Sequence, residues 1–228
     1  MKLLAIETAT EGCSAALSID GVIYSRFEVA PRRHAELILP MCNSLLIETG
    51  TELAQLDAIA FGRGPGAFTG VRIAAGVAQG IAFGLELPVV PVSTLAALAQ
   101  EVIAEVGKTK VLAAIDARMD EVYWACYQRD NQGFARPVGA EHVGPPEQVL
   151  LPADADWYGA GSGWSTYGDR LCKHLQDRLR SYNSELLPKA RYIASLAETM
   201  LLEGLAVPAE RAQPVYLRDQ IAKKRSNV

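Results

Sequence analysis

Residues 62–70 read Gly-Arg-Gly-Pro-Gly-Ala-Phe-Thr-Gly, and the helical spacing that follows carries Gly76, Gly80 and Gly84. Glycine inside a helix costs about 1 kcal/mol relative to alanine, so this segment forfeits roughly 3 kcal/mol. Something must offset that cost. A glycine at every fourth position leaves a flat groove into which a second helix can settle closely. Between Val71 and Leu87 the polar residues are Arg72, Gln79 and Glu86, seven apart, which makes one narrow stripe. A helix lying on a sheet should instead show a wide polar face. The helix is therefore expected to be covered on two sides, by another helix of the chain or by another protein.

The chain's 228 residues suffice for one large domain or two small ones. Half are hydrophobic and 21% charged, ordinary for an α/β protein. A net charge of −4 argues against a chain that grips nucleic acid alone. The one basic cluster, Lys223-Lys224-Arg225, reads as a solvated terminus. Cys13, Cys42, Cys126 and Cys172 form no Cys-x-x-Cys pair and sit in apolar or helical runs, as reduced core cysteines do. Met1-Lys-Leu-Leu begins a strand and not a signal peptide, and no apolar run is expected to reach membrane-spanning length. The expectation is a cytoplasmic protein without membrane contact.

Along the chain, residues 2–7, 13–19 and 22–29 read as strands, the last two joined by the hairpin signal Asp20-Gly21. Helical spacing runs from His34 to Thr49 with Gly50 as C-cap, and Pro40 is expected to kink it. A strand at 57–61 precedes the glycine turn and its helix. A buried strand at 88–92 and a helix at 94–106 follow. The second half opens with strands at 110–116 and 121–129. A polar stretch to 155 leads to a strand at 156–159, a helix to about Leu179 and another over 190–204.

Several segments admit two readings. Glu7, Thr8 and Thr10 at a strand end are the residue types that hold phosphate and position Mg²⁺ in a phosphate-binding turn, or else threonines capping a turn. Gly64-Pro65-Gly66 at a helix N-terminus suits an anion or a sharp reversal, and lacks the Gly-Lys-Ser/Thr of a Walker loop. Gly159, Gly161 and Gly163 have the wrong spacing for a dinucleotide fingerprint. His34 has Ile38, not a second histidine, four residues on, so no metal pair forms. Asp116, Arg118, Asp120 and Glu121 read as an acid–base group or as a charged turn between strands.

Taken together, Leu4-Ala-Ile-Glu7-Thr-Ala-Thr10, Cys13-Ser-Ala-Ala-Leu17, His34-Ala-Glu-Leu-Ile-Leu-Pro40, Gly64-Pro-Gly-Ala-Phe-Thr-Gly-Val-Arg-Ile73, Pro91-Val-Ser-Thr-Leu95, Ile115-Asp-Ala-Arg-Met119 with Glu121-Val-Tyr-Trp124, and Pro214-Val-Tyr-Leu-Arg218 resemble the bacterial TsaB (YeaZ) family. The match is dense through residue 129, thin over 130–213, and returns at the tail. The resemblance implies an α/β fold of the actin/Hsp70/sugar-kinase (ASKHA) type, two mixed β-sheet halves flanked by helices, divided as 1–106 and 107–228. It implies a role in forming N6-threonylcarbamoyladenosine beside the tRNA anticodon, as a non-catalytic activator of the transferase TsaD, with the ATPase TsaE driving turnover. TsaD-like proteins hold metal with His-x-x-x-His, and here the second position is Ile38. Glu7 stands where the wider fold prefers Asp, which leaves Glu7, Thr8 and Thr10 as a degenerate phosphate turn. No metal, cofactor or catalytic residue is expected. An autonomous small-molecule kinase of the same fold is the alternative. The partner interface is expected at Leu37, Met41, Leu45, Arg72, Ile73, Gly76, Val77, Gly80 and Gly84. It would serve a TsaD-like subunit or a homodimer when the chain is alone, with tRNA approached only indirectly.

Overall fold

The computed structural model describes residues 1–153 and 155–218, so the basic cluster at 223–225 lies outside the described residues. Strands β1 (Lys2–Glu7), β2 (Gly12–Ile19), β3 (Val22–Val29), β4 (Ala58–Gly62) and β5 (Val89–Val92) form a first sheet in the order β3-β2-β1-β4-β5. β1 is antiparallel to β2 and parallel to β4. Asp20 and Gly21 both take positive φ, +50° and +86°, as a two-residue turn matching the strand twist requires. β1 is an unbroken apolar run because both of its faces are covered. Leu4 and Ile6 point to one core, Leu3 and Ala5 to another.

The second sheet contains β6 (Lys110–Arg118), β7 (Glu121–Arg129), β8 (Ala135–Pro137), β9 (His142–Gly144), β10 (Trp157–Ala160) and β11 (Leu179–Asn183). Its order is β11-β10-β6-β7-β8, with β9 also paired to β7. Among the described residues, five α-helices complete five layers. α1 (His34–Thr49) and α2 (Phe68–Leu85) cover the outer face of the first sheet. α3 (Thr94–Glu101, extended by a π-turn over Val102–Val106) and α5 (Ala190–Leu202) fill the space between the sheets. α4 (Gly163–Leu175) covers the outer face of the second sheet, packing Trp164 and Leu171 into one cluster with Trp157 of β10. The sheets fall on either side of residues 106/107, but α5 of the second half packs on β1 and β2 of the first. This is the ASKHA arrangement.

Three expectations need correction. The helix that the sequence extends to Leu179 stops at Leu175, where Gln176 takes φ +50°, and residues 179–183 pair with β10 instead. Tyr182 then stacks on Trp164 at 5.1 Å, a contact no helical continuation would reach. Pro40 does not interrupt α1: it and Glu36, whose carbonyl it leaves without an N–H, both stand on the solvent side. α2, with 18 residues and a mean hydropathy of 1.3, does meet the length and composition of a membrane span. Its alanine face is committed to the first sheet, however, through Ala74, Ala75, Ala78 and Ala82. Among the described residues no second helix covers the glycine row. A Cβ added at Gly76, Gly80 or Gly84 would meet nothing within 4 Å.

Candidate functional site

β1 ends at Glu7, whose carboxylate has no solvent exposure. The Ala9 N–H donates to Oε1 at 2.6 Å and the Thr94 hydroxyl to Oε2 at 3.1 Å. Gly62 of β4 passes so close that a Cβ there would lie 1.9 Å from Oε2. Burial pushes the carboxyl up to about 7, against the three hydrogen bonds that favour its ionised form. The Thr8 hydroxyl donates to the Gly70 carbonyl at 2.7 Å, and Thr10 Oγ1 accepts from the Gly12 N–H at 3.4 Å.

The glycine turn closes on this strand end. The Ala67 N–H donates to the Ala9 carbonyl at 2.7 Å. A Cβ at Gly66 would come within 2.4 Å of that same oxygen, and one at Gly70 within 2.0 Å of the Thr8 carbonyl. The turn at 64–70 is therefore rich in glycine because another backbone runs against it. The two loops are tied together through the Ala9 carbonyl and the Thr8 hydroxyl, which are thereby engaged within the protein. A kinase of this fold needs those amides and hydroxyls turned towards its nucleotide.

Between the halves a cleft of about 540 Å³ remains, lined by Thr10, Gly66, Phe68, Asp116, Tyr123 and Ser165 among others. The tail spans it. The Val215 N–H donates to the Arg63 carbonyl at 2.8 Å on one side, and Arg218 pairs with Glu121 and donates to the Ala117 carbonyl at 3.3 Å on the other. Sequence reasoning placed no role on this strap, because nothing in Pro214-Val-Tyr-Leu-Arg218 announces contacts made about 100 to 150 residues away. The charged group at 116–121 resolves as a turn. Asp116 accepts from the Arg118 N–H at 2.8 Å and from its guanidinium at 3.1 Å, and takes the Tyr167 hydroxyl at 3.4 Å. Arg118, Met119 and Asp120 all sit in the left-handed region, with φ of +62°, +56° and +59°. The glycines in and just after β10 are packing features as well, since a Cβ at Gly159 would strike Trp164 at 2.3 Å and one at Gly161 the Ala114 carbonyl oxygen at 2.5 Å.

His34 is 8% exposed and its Nε2 has no hydrogen-bond partner, while Ile38 one turn on is wholly buried. Among the described residues no cluster of three or more His, Cys, Asp or Glu side chains is arranged to hold a metal. Cys13, Cys42 and Cys126 are buried free thiols, pushed up to about 11, 12 and 12 chiefly by desolvation.

The residues expected at a partner interface divide. Gly76, Gly80 and Gly84 are exposed, and Leu37, Met41, Ile73 and Val77 are half-buried at the rim of the α1–α2 core. Leu45 is a correction: it has no exposed surface and packs inward beneath α1. Arg72 is exposed but engaged, its guanidinium 3.3 Å from the Phe68 ring centroid and 5.4 Å from that of Tyr216. Phe68, Arg72, Gly76, Gly80 and Gly84 form one row at steps of four, so the glycine valley has an aromatic and cationic knob at its upper end. Leu39, Ile47, Phe68 and Phe83 are exposed apolar residues that the sequence reading left out. Extending the same four-residue step back from Gly76 would have found Phe68.

Comparison with known proteins agrees with this geometry. Residues 21–226 match the family described as TsaD, tRNA N6-adenosine threonylcarbamoyltransferase. The Escherichia coli tRNA threonylcarbamoyladenosine biosynthesis protein TsaB is 47% identical, over 99% of this chain and 98% of that protein. The Haemophilus influenzae protein of the same name is 40% identical, over 99% and 97% respectively. The solved structure of YeaZ from Pseudomonas aeruginosa superposes with a TM-score of 0.90 at 54% identity, covering 95% of this chain and 99% of that one. Full-length identity at this level leaves one assignment: the chain belongs to the TsaB (YeaZ) branch of the TsaD family.

Proposed function

We propose that this chain is the non-catalytic subunit for tRNA N6-threonylcarbamoyladenosine formation, activating a TsaD-like transferase in the cytoplasm. The observation that carries the non-catalytic reading is the closure of the strand-end turn on the glycine loop, with Glu7 buried between Ala9, Thr94 and Gly62. The name carried by its full-length relatives supports the pathway. The open glycine row on α2, flanked by exposed Phe68 and Phe83, supports a partner helix settling there. That partner is a TsaD-like subunit, or a second copy when the chain is alone. A TsaE-like ATPase joins through the assembly, and tRNA meets this chain only through its partners.

Gly80→Leu tests the interface. Open space around Gly80 accepts the side chain in the monomer, and the change favours helix by roughly 0.5–1 kcal/mol. Overpacking a close helix contact costs about 1–3 kcal/mol per chain, and two-fold symmetry applies that cost twice in a homodimer. Sedimentation should show a folded monomer at micromolar concentration where the parent chain pairs. Cells relying on the variant should lose threonylcarbamoyladenosine from their tRNA. A variant that still pairs and still supports the modification would move the interface off α2.

A further inference from the structure

A second cavity, of about 470 Å³, opens where the β5 edge of the first sheet meets the β8 edge of the second. Val92, Ala96, Phe134, Leu196, Met200 and Leu205 line it with apolar surface. Arg136 also lines it, but its guanidinium is taken up by Asp130 and Glu203. The remaining charged groups converge on one spot. Arg63 Nη2 lies 3.1 Å from Glu141 Oε2, with side chains only 24% and 13% exposed. The chain of donors behind them is complete. The Ala96 N–H donates to Ser93 Oγ at 3.2 Å, and Ser93 Oγ lies 3.2 Å from the Tyr127 hydroxyl. That hydroxyl donates to Glu141 Oε1 at 3.5 Å. Since the single phenolic proton goes to the carboxylate, Ser93 supplies the proton of the bond to Tyr127.

An apolar pocket of this size with a few convergent polar groups has the make-up of a small-molecule site. The Arg63–Glu141 pair is net neutral, and that decides the class of ligand. An anion would face the Glu141 carboxylate and a cation the Arg63 guanidinium, each losing water against apolar walls. A neutral head with a carbonyl beside an N–H meets both, accepting from Arg63 and donating to Glu141. We propose that this cavity binds a neutral small molecule whose amide-type head sits on Arg63 and Glu141 and whose apolar body lies between α3, α5 and β8. Neither the Glu7 turn nor the glycine row lines it, so the inference stands apart from the partner interface.

Three probes of one shape separate the possibilities: 2-naphthamide, 2-naphthoate and 2-naphthylmethylamine, titrated into the full chain and followed by protein-observed NMR. The amide should perturb the backbone signals of Ala135, Gly139 and Thr199 and bind at least tenfold more tightly than either charged probe. Thr199→Trp, introduced from α5 at a half-buried position, should weaken the amide at least tenfold by filling the mouth. Glu141→Gln keeps the shape but leaves the guanidinium uncompensated, so it should invert the preference and make 2-naphthoate the tightest of the three. Should Glu141→Gln fail to fold, Thr199→Trp and the ranking of probes on the parent chain decide the matter alone. Equal binding of all three probes, no perturbation at these residues, or amide binding unchanged by Thr199→Trp would overturn the proposal.

Discussion

Gly70→Ala should destabilise the chain by about 3 kcal/mol or more, whereas Gly80→Ala, ten residues along the same helix, should stabilise it by about 1 kcal/mol. The two glycines look alike in sequence. At Gly70 the new methyl would lie 2.0 Å from the Thr8 carbonyl oxygen, a backbone atom that cannot swing aside. Relieving the clash means parting α2 from the end of β1, which also breaks the bond from the Thr8 hydroxyl to the Gly70 carbonyl. At Gly80 the methyl meets open space, and only the conformational gain of alanine over glycine is left. Denaturant melts of the two variants, taken at concentrations where the chain is monomeric, should move in opposite directions. If both are neutral, the glycine turn does not bear on the β1 end as described.

Glu7→Gln should remove a pH dependence worth about 3 kcal/mol. Burial raises the folded-state pKa of Glu7 from the ordinary 4.5 to about 7. Between those values the folded chain keeps a proton that the unfolded chain has lost, so stability falls as pH rises. The contribution is complete below about pH 4.5 and gone above about pH 7. The rise from 4.5 to about 7, at about 1.36 kcal/mol per tenfold change in proton affinity, sets an effect of about 3 kcal/mol. Glutamine is isosteric and can still accept from the Ala9 N–H, while its amide meets Thr94 Oγ1 as a donor. The variant should match the parent near pH 4.5 and exceed it by about 3 kcal/mol at pH 8. Parallel stability curves for the two proteins would show that Glu7 is not held neutral by burial. A carboxyl that holds its proton up to about pH 7 is also a poor anchor for Mg²⁺ below that pH.

Much of the first half is legible because its signals are local. Asp20-Gly21 specifies the hairpin, Gly50 the end of α1, and the apolar runs at 2–7 and 57–61 two strands buried on both faces. The missing partner for His34 at Ile38 is equally plain in one dimension. The second half was harder. β11 lies edge-on, with Arg180, Ser181 and Tyr182 exposed, so no apolar alternation marks it and the preceding helical spacing runs on into it. Leu45 was misplaced because helical spacing says which residues share a face but not which neighbouring face faces the sheet.

The sequence by itself determined the family, the element order through β7, and the unusual glycine content of one helix. It could not say what each glycine is for, since glycine's role is defined by what approaches it and not by any side chain of its own. Tertiary structure decided that Gly62, Gly66 and Gly70 admit a carboxylate and two carbonyls, while Gly76, Gly80 and Gly84 meet nothing among the described residues. It also decided that Arg63 and Glu141 close one cavity and that Val215 and Arg218 tie the two halves. Contacts between segments so far apart along the chain leave no periodic trace in it, because they arise only when two sheets close on the same pair of helices.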